Sequence, residues 1–310
     1  MHRAYVVEKH GPPEAHSIRS VPTPEPTGTE VLLAVQAAGV NYPDTLQIRG
    51  KYQFQPEMPF SPGSEVAGIV AALGPDVTDV KVGDAVIANA GHGGFSERLI
   101  VEADKLMPLP KSMTPLTGAA FTMVYGTSYY ALKDVAKLRL GETLLVLGAS
   151  GGVGLAAVEL GKIMGARVIA CASNAEKLAV CREKGADELI EYDPVFSKKA
   201  ANALKGAIKA ATGSLGIDVC YDPIGADWAE VAIRNMAWGG RYLVVGFAAG
   251  AIPRIPLNLP LLKGCSLMGV FWGSWVMREP EGNGEKIDCR PRALTALASA
   301  TCIVVSIRRD

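Results

Sequence analysis

Three glycines, Gly148, Gly151 and Gly154, punctuate the stretch Leu144-Leu-Val-Leu-Gly-Ala-Ser-Gly-Gly-Val-Gly-Leu-Ala-Ala, where an apolar run that reads as a buried strand meets a run that reads as a helix. Glycines at such a junction permit a tight turn, let backbone N–H groups approach a pyrophosphate, and allow close helix-to-strand packing. The N-terminus of the helix then favours negative charge. With Gly152 and Val153 completing the loop, the expected ligand is a dinucleotide. Glycines also mark turns that hold nothing, but here the strand, the helix and the next strand at the expected distance agree with the ligand reading.

The choice of dinucleotide is usually made at the tip of the second strand, where a carboxylate accepts the ribose hydroxyls of NAD. That tip reads Ala172-Ser173-Asn174, with Lys177 one helical turn further on and no Asp or Glu. A 2′-phosphate would be accommodated. Ser173 would give it a hydrogen bond and Lys177 a charge, favouring NADPH over NADH. An ordinary solvated lysine, paired weakly with a neighbouring Glu, is the alternative for Lys177. Tyr192, after the third strand, would cover the adenine or phosphate, or else be a surface aromatic.

The elements that must carry these residues fall into two textures. Up to about residue 122 the chain has short β-rich runs (4–7, 30–39, 66–73, 85–88 and 97–101) separated by Pro and Gly clusters, which predicts a small, partly open β-barrel-like domain over 1–122. From 123 the pattern becomes strands alternating with amphipathic helices. Strands are expected at 143–147, 167–171, 188–190, 217–221, 241–245 and 266–270, and helices at 152–164 and 174–184. Such alternation predicts an α/β fold with a parallel sheet covered by helices on both faces over 123–273.

The 310 residues, 49% of them hydrophobic, suffice for two cores of ordinary domain size. Lys plus Arg equals Asp plus Glu at 31 each, so no overall field draws a nucleic acid or other polyanion. A small-molecule partner is expected. The six cysteines, Cys171, Cys181, Cys220, Cys265, Cys289 and Cys302, show no paired metal-ligand spacing and read as buried thiols of a reducing compartment. The first residues lack a secretory apolar core, and no run approaches the roughly 20 apolar residues of a membrane span. A cytoplasmic protein without membrane attachment is therefore expected.

With the glycine turn and the missing carboxylate in view, the chain resembles the quinone oxidoreductase branch of the zinc-independent medium-chain dehydrogenase/reductase superfamily, from Met1 to about Gly273. The segments that carry the resemblance are Ala38-Gly-Val-Asn-Tyr-Pro-Asp, Pro62-Gly-Ser-Glu-Val-Ala-Gly, Val82-Gly-Asp-Ala-Val, Gly126-Thr-Ser-Tyr-Tyr, the 148–154 turn and Tyr221-Asp-Pro-Ile-Gly. It implies a GroES-like N-terminal domain, a nicotinamide-binding Rossmann doubly wound parallel sheet, and an active-site cleft between them. It also implies that Asn41 and Asp44 lie beside the nicotinamide and its ribose, that Tyr130 approaches the cofactor from the domain junction, and that Gly246, Phe247, Val270, Phe271 and Trp272 flank the nicotinamide. Tyr52 is a candidate hydroxyl near the substrate, able to donate a hydrogen bond to a developing enolate or quinol oxygen. A loop aromatic packed over the cleft rim is the equal alternative for Tyr52, and a turn residue before Pro43 is the alternative for Asn41.

In the zinc-dependent alcohol dehydrogenases of the superfamily a Cys stands near the position of Asn41 and a His directly precedes the counterpart of Glu65. Here Ser64 precedes Glu65, the N-terminal half has no cysteine, and the chain has four histidines in all. No metal site is expected, since a catalytic zinc needs about three converging ligands. Hydride transfer from NADPH to an already electrophilic quinone or enone suits what remains. His92, in Ala90-Gly-His-Gly-Gly-Phe, reads as a hairpin-tip residue rather than a catalytic acid. Glu65 reads as a partner of Asn41 or Arg49, or as a satisfied buried carboxylate.

Two other functions share these features: reduction of a 2-enoyl thioester such as an acyl-CoA, and nucleotide or RNA binding by a catalytically impaired relative. The segment 274–310 matches none of the family's usual return to the first domain, so no basic residue there is assigned to NADPH. A homodimer is expected through the sixth strand of the parallel sheet, whose edge relatives use to pair subunits.

Overall fold

A computed structural model describes residues 1–278, so Cys289, Cys302 and the expected atypical tail beyond Arg278 lie outside the described residues. The chain divides into two compact units, Met1–Met123 and a second that begins at Val124.

In the first unit β1 (His2–Val6) pairs antiparallel with β2 (Ser17–Val21). β3 (Glu30–Gly39) leads through α1 (Tyr42–Ile48) to β4 (Glu65–Leu73), β5 (Ala85–Asn89), β6 (Arg98–Glu102) and β7 (Leu106–Pro108). These five strands form an antiparallel sheet in the order β6-β3-β4-β5-β7, followed by the short helix α2 (Pro115–Gly118). Val31, Leu33, Val66, Val70, Val86 and Leu99 pack into one cluster, as the two-residue period of half-buried strands requires. β3 and β4 slip register between Leu32 and Leu33 and again between Val35 and Ala37, the kind of bulge that bends a sheet.

α3 (Thr122–Tyr129) runs from the last residues of the first unit into the second, and its turns continue as a π-helix over Tyr130–Val135. Strands and helices then alternate: β8 (Thr143–Val146), α4 (Gly152–Ile163), β9 (Arg167–Ala172), α5 (Ala175–Glu183), β10 (Glu188–Glu191), α6 (Lys198–Thr212), β11 (Ile217–Asp222), α7 (Trp228–Ile233), β12 (Met236–Val244), α8 (Asn258–Lys263), β13 (Ser266–Gly269) and α9 (Trp272–Arg278). The six strands are all parallel, in the order β10-β9-β8-β11-β12-β13. This is the expected Rossmann-like sheet, carried in the same chain as a GroES-like domain. Leu144, Leu145 and Val146 of central β8 are fully buried, since such a strand has no solvent face. Leu204, Ile208 and Thr212 of α6 form the buried stripe of an amphipathic helix.

Element ends depart from the sequence expectation by a residue or two, except that β12 starts at Met236 rather than 241, through an irregular register against β11. Cys171, Cys181 and Cys220 are buried as expected, whereas Cys265, beside the edge strand β13, is half-buried. Among the described residues no helix is long and apolar enough to cross a membrane.

Gly39 ends β3 where a Cβ would stand 2.2 Å from the backbone carbonyl oxygen of Ala119. Replacing it by alanine forces backbone rather than side chain to move. Gly39→Ala is expected to cost about 1–3 kcal/mol, measured as a lower urea midpoint with unchanged m-value.

Candidate functional site

The glycine turn joins β8 to α4. Gly148 sits in the left-handed region at φ +56, and a Cβ on it would lie 2.4 Å from Ile224 Cδ1. A Cβ on Gly154 would lie 2.5 Å from the Gly148 carbonyl oxygen and 2.8 Å from Ala149 Cα. Gly154 is a glycine because backbone passes within contact of backbone there, and Gly148 because its left-handed backbone lies under the Ile224 side chain. Gly151 donates its N–H to Gly148 O at 3.0 Å and forms the N-cap of α4. Gly151 and Gly152 are exposed. The amides of the first turn of α4, including those of Gly152, Val153 and Gly154, have no carbonyl one turn back to receive them. They are free to bind an anion.

At the tip of β9 the side-chain oxygen of Asn174 accepts the Lys177 N–H at 2.9 Å and caps α5. Lys177 Nζ donates to Ser173 Oγ at 2.9 Å rather than pairing with a neighbouring Glu. The lysine is exposed. One hydroxyl and one ammonium thus stand together where a carboxylate would oppose a 2′-phosphate.

Tyr192 follows β10, its N–H bonded to Ala172 O at 3.1 Å. Its ring meets Trp228 edge-on at 5.1 Å, and burial pushes its phenol up to about 12, opposed by the Gly148 amide. It is therefore a half-buried wall beside the glycine turn rather than a free surface aromatic. Gly246 and Phe247 follow β12, with Phe247 against Gly225, where a Cβ would come within 2.8 Å of the ring. Val270 extends the pairing of β12 and β13 through its N–H to Val244 O at 3.0 Å, and Phe271 is 41% exposed. Trp272 is buried, its indole lying where a Cβ on Gly126 would be 2.6 Å away. Tyr130 stacks on Trp275 with ring centroids 5.0 Å apart. The glycine turn, Ser173, Lys177, Tyr192, Gly246 and Phe247 all lie at the carboxyl ends of parallel strands, the edge where open α/β sheets bind ligands.

In the first unit, Asn41 and Asp44 belong to the start of α1. Asp44 accepts the Asn41 N–H at 2.7 Å with one carboxylate oxygen and the Ser64 N–H and hydroxyl, each at 3.1 Å, with the other. Burial nevertheless raises its carboxyl to about 6. The spacing of Asn41, Pro43 and Asp44 carries the signature of a helix start, and could have indicated this inward role. Asn41 Nδ2 donates to Glu65 Oε2 at 3.2 Å, and Glu65 Oε1 accepts from the Thr122 hydroxyl at 2.6 Å and the Met123 N–H at 3.0 Å. Glu65 is thus the satisfied buried carboxylate bound to Asn41, not to Arg49. Burial lifts it to about 7 against those donors. Tyr52 is half-buried, its phenol raised by burial and by the charge of Asp44. His92 lies edge-on to Phe60 at 6.5 Å.

Neutral donors therefore occupy both Glu65 oxygens, and among the described residues no three His, Cys, Asp or Glu side chains are grouped to hold a metal. This donor set does not fit a zinc ion. Absent from the sequence expectation were Asp222, which accepts the Tyr242 hydroxyl and two backbone amides, and Ser128, which bridges Tyr221 Oη and Val153 O at 2.9 Å each. The only signal for Asp222 was its place in Tyr221-Asp-Pro-Ile-Gly.

Residues 152–283 match the family described as zinc-binding dehydrogenase, and residues 27–111 match the alcohol dehydrogenase GroES-like domain. The quinone oxidoreductase-like protein 2 homolog of Nematostella vectensis is 37% identical over 262 residues, 84% of this chain and 70% of that protein. Quinone oxidoreductase of Rattus norvegicus is 35% identical over 270 residues, 86% of this chain and 79% of its own. The quinone oxidoreductase of Thermus thermophilus, solved with and without NADPH, superposes with a TM-score of 0.77 at 32% identity, covering 92% of this chain and 85% of that one. The two units and their sites thus define a medium-chain dehydrogenase/reductase. Within that superfamily the chain belongs to the quinone oxidoreductase family.

The raised Glu65 carboxyl makes a signed prediction. A folded-state value above the unfolded one contributes stability that is fully present below the unfolded value of 4.5 and is lost as pH rises through about 7. Asp44 acts in the same direction, its contribution being lost through about 6. Between about pH 5 and pH 8 the melting temperature of wild type should fall more steeply than that of Glu65→Gln, which lacks the Glu65 component but keeps those of Asp44 and of the likewise raised Asp222. Parallel melting curves would remove this assignment.

Proposed function

We propose that this chain is an NADPH-dependent reductase that passes hydride to a quinone or another conjugated carbonyl without zinc. The carrying observation is the pairing of Lys177 with Ser173 beyond a strand tip that bears no carboxylate, alongside the glycine turn. NADPH, when bound, supplies the hydride. Gly151, Gly152, Val153 and Gly154 hold the pyrophosphate by backbone N–H groups and the helix dipole. Ser173 and Lys177 hold the 2′-phosphate, with Tyr192 as the wall beside them. Gly246, Phe247, Val270, Phe271 and Trp272 bound the nicotinamide, and Tyr130, stacked on Trp275, approaches the cofactor.

Asn41 and Asp44 shape the start of α1 on the substrate side. Tyr52 keeps its proton at neutral pH, because both influences on its phenol raise it. It can then donate a hydrogen bond to the oxygen that gains charge as the conjugated system accepts hydride. A quinone or enone spreads that charge itself, so the reaction needs no metal to polarise it.

We also propose a cytoplasmic homodimer joined through β13. This strand is an edge of the parallel sheet, and Leu267 on it and Trp238 and Leu261 nearby are exposed, Trp238 by 83%. Among the described residues no strand pairs with the outer side of β13, and such an edge beside apolar side chains is a template for strand pairing. Sedimentation at micromolar concentration should give twice the chain mass, and a monomer would exclude the pairing.

The functional test is fluorescence titration of NADPH and NADH. Wild type should prefer NADPH, and Lys177→Ala should weaken NADPH by roughly tenfold, about 1.4 kcal/mol, while leaving NADH unchanged. Equal affinity of wild type for both nucleotides would refute the phosphate site.

A further inference from the structure

The strand order turns about β8: β9 and β10 lie to one side and β11, β12 and β13 to the other. In such a sheet the ligand crevice opens where the order reverses, between the carboxyl ends of β8 and β11. β8 ends at the glycine turn. β11 ends at Asp222, which is 1% exposed and cannot itself reach a ligand.

We propose that Asp222, held by Tyr242, is a positioning residue that fixes the floor under the nicotinamide end of the dinucleotide. The proposal rests on the dinucleotide reading above. Asp222 Oδ1 accepts the N–H groups of Ile224 at 2.7 Å and Gly225 at 2.9 Å, which folds 222–225 into a tight side-chain-capped turn. Asp222 Oδ2 accepts the hydroxyl of Tyr242 from the adjacent strand β12. Burial raises the Tyr242 phenol strongly, so the hydroxyl remains a donor. Gly225 and Ala226 then take positive φ values of 69 and 50, a conformation that non-glycine residues adopt only under constraint.

The turn so fixed touches both halves of the crevice. On one side Ile224 fills the space over Gly148, and on the other Gly225 backs the ring of Phe247. Backbone bonds lace it to the segment after β12. Val245 and Gly246 donate to Asp222 O at 3.0 and 3.3 Å, Ala248 to Pro223 O at 3.0 Å, and Ala249 to Ile224 O at 3.0 Å. A slack turn would release Phe247 and Ile224 together. Ser173 and Lys177 stand on the far side of β8, at the tip of β9, and would keep their geometry.

This asymmetry separates positioning from general loosening. Tyr242→Phe removes one hydroxyl while leaving the ring in the core and both amide bonds to Asp222 in place. NADPH and 2′,5′-ADP, which carries the adenosine and 2′-phosphate but no nicotinamide, are titrated against wild type and the variant. The variant is expected to bind NADPH roughly tenfold more weakly, the scale of one lost hydrogen bond to a charged group, and to bind 2′,5′-ADP as wild type does. Unchanged NADPH affinity, or equal loss of both ligands, would overturn the positioning role while leaving the dinucleotide site standing. Wild type that binds neither compound would overturn the dinucleotide reading and this proposal with it.

Discussion

Backbone meets backbone at the centre of the parallel sheet, where Gly154 in the first turn of α4 lies against the carbonyl of Gly148. No side chain fits between them, and the same helix presses Gly161 onto Leu144, where a Cβ would come within 2.5 Å. The helix is thereby seated on its strand at both ends, with its N-terminal amides facing outward beyond the sheet. A loose loop would have to be ordered on binding, at a cost in affinity, whereas this one is ordered already. Ile224 closes over Gly148 from the other side, so the turn is held by packing from its neighbours as well as by its own backbone.

Buried carboxylates perform a common task in both units. Asp44 ties the start of α1 to the loop before β4, Glu65 ties β4 to Asn41 and to the start of α3, and Asp222 ties the end of β11 to β12. Each collects three or more donors, at least one of them a backbone N–H. A carboxylate offers two oxygens with several lone pairs, so one side chain can fasten donors from two segments at once. Desolvation opposes the charge in every case, and the donors only partly offset it.

Local pattern was enough to read the parts of this molecule that depend on chain neighbours. The glycine turn, the missing carboxylate at the tip of β9 and the alternation of strands and helices each lie within a few residues, and each reflects a local constraint. Lys177 was read one helical turn beyond the strand tip that bears Ser173, and their side chains meet. The buried couplings were not legible, because Tyr242 stands 20 residues from Asp222 and Thr122 stands 57 from Glu65. Trp272 shows the same limit: nothing near it in the chain pointed to Gly126, 146 residues away, on which its indole is packed. A glycine in the middle of α3 was the available hint that something large needed room there.

The placement of sulfur has a chemical consequence for the proposed reduction of electrophiles. Quinones and enones alkylate thiolates, so a protein that concentrates such molecules risks modifying itself. Cys171, Cys181 and Cys220 are sealed in the core, and burial raises all three thiols, that of Cys181 to about 11. Cys265, half-buried, is raised by the same cause. Attack requires the thiolate, and these sites suppress both its formation and its exposure. The fold that orders the dinucleotide turn thus also keeps Cys171, Cys181 and Cys220 out of reach, a form of self-protection that follows from burial alone.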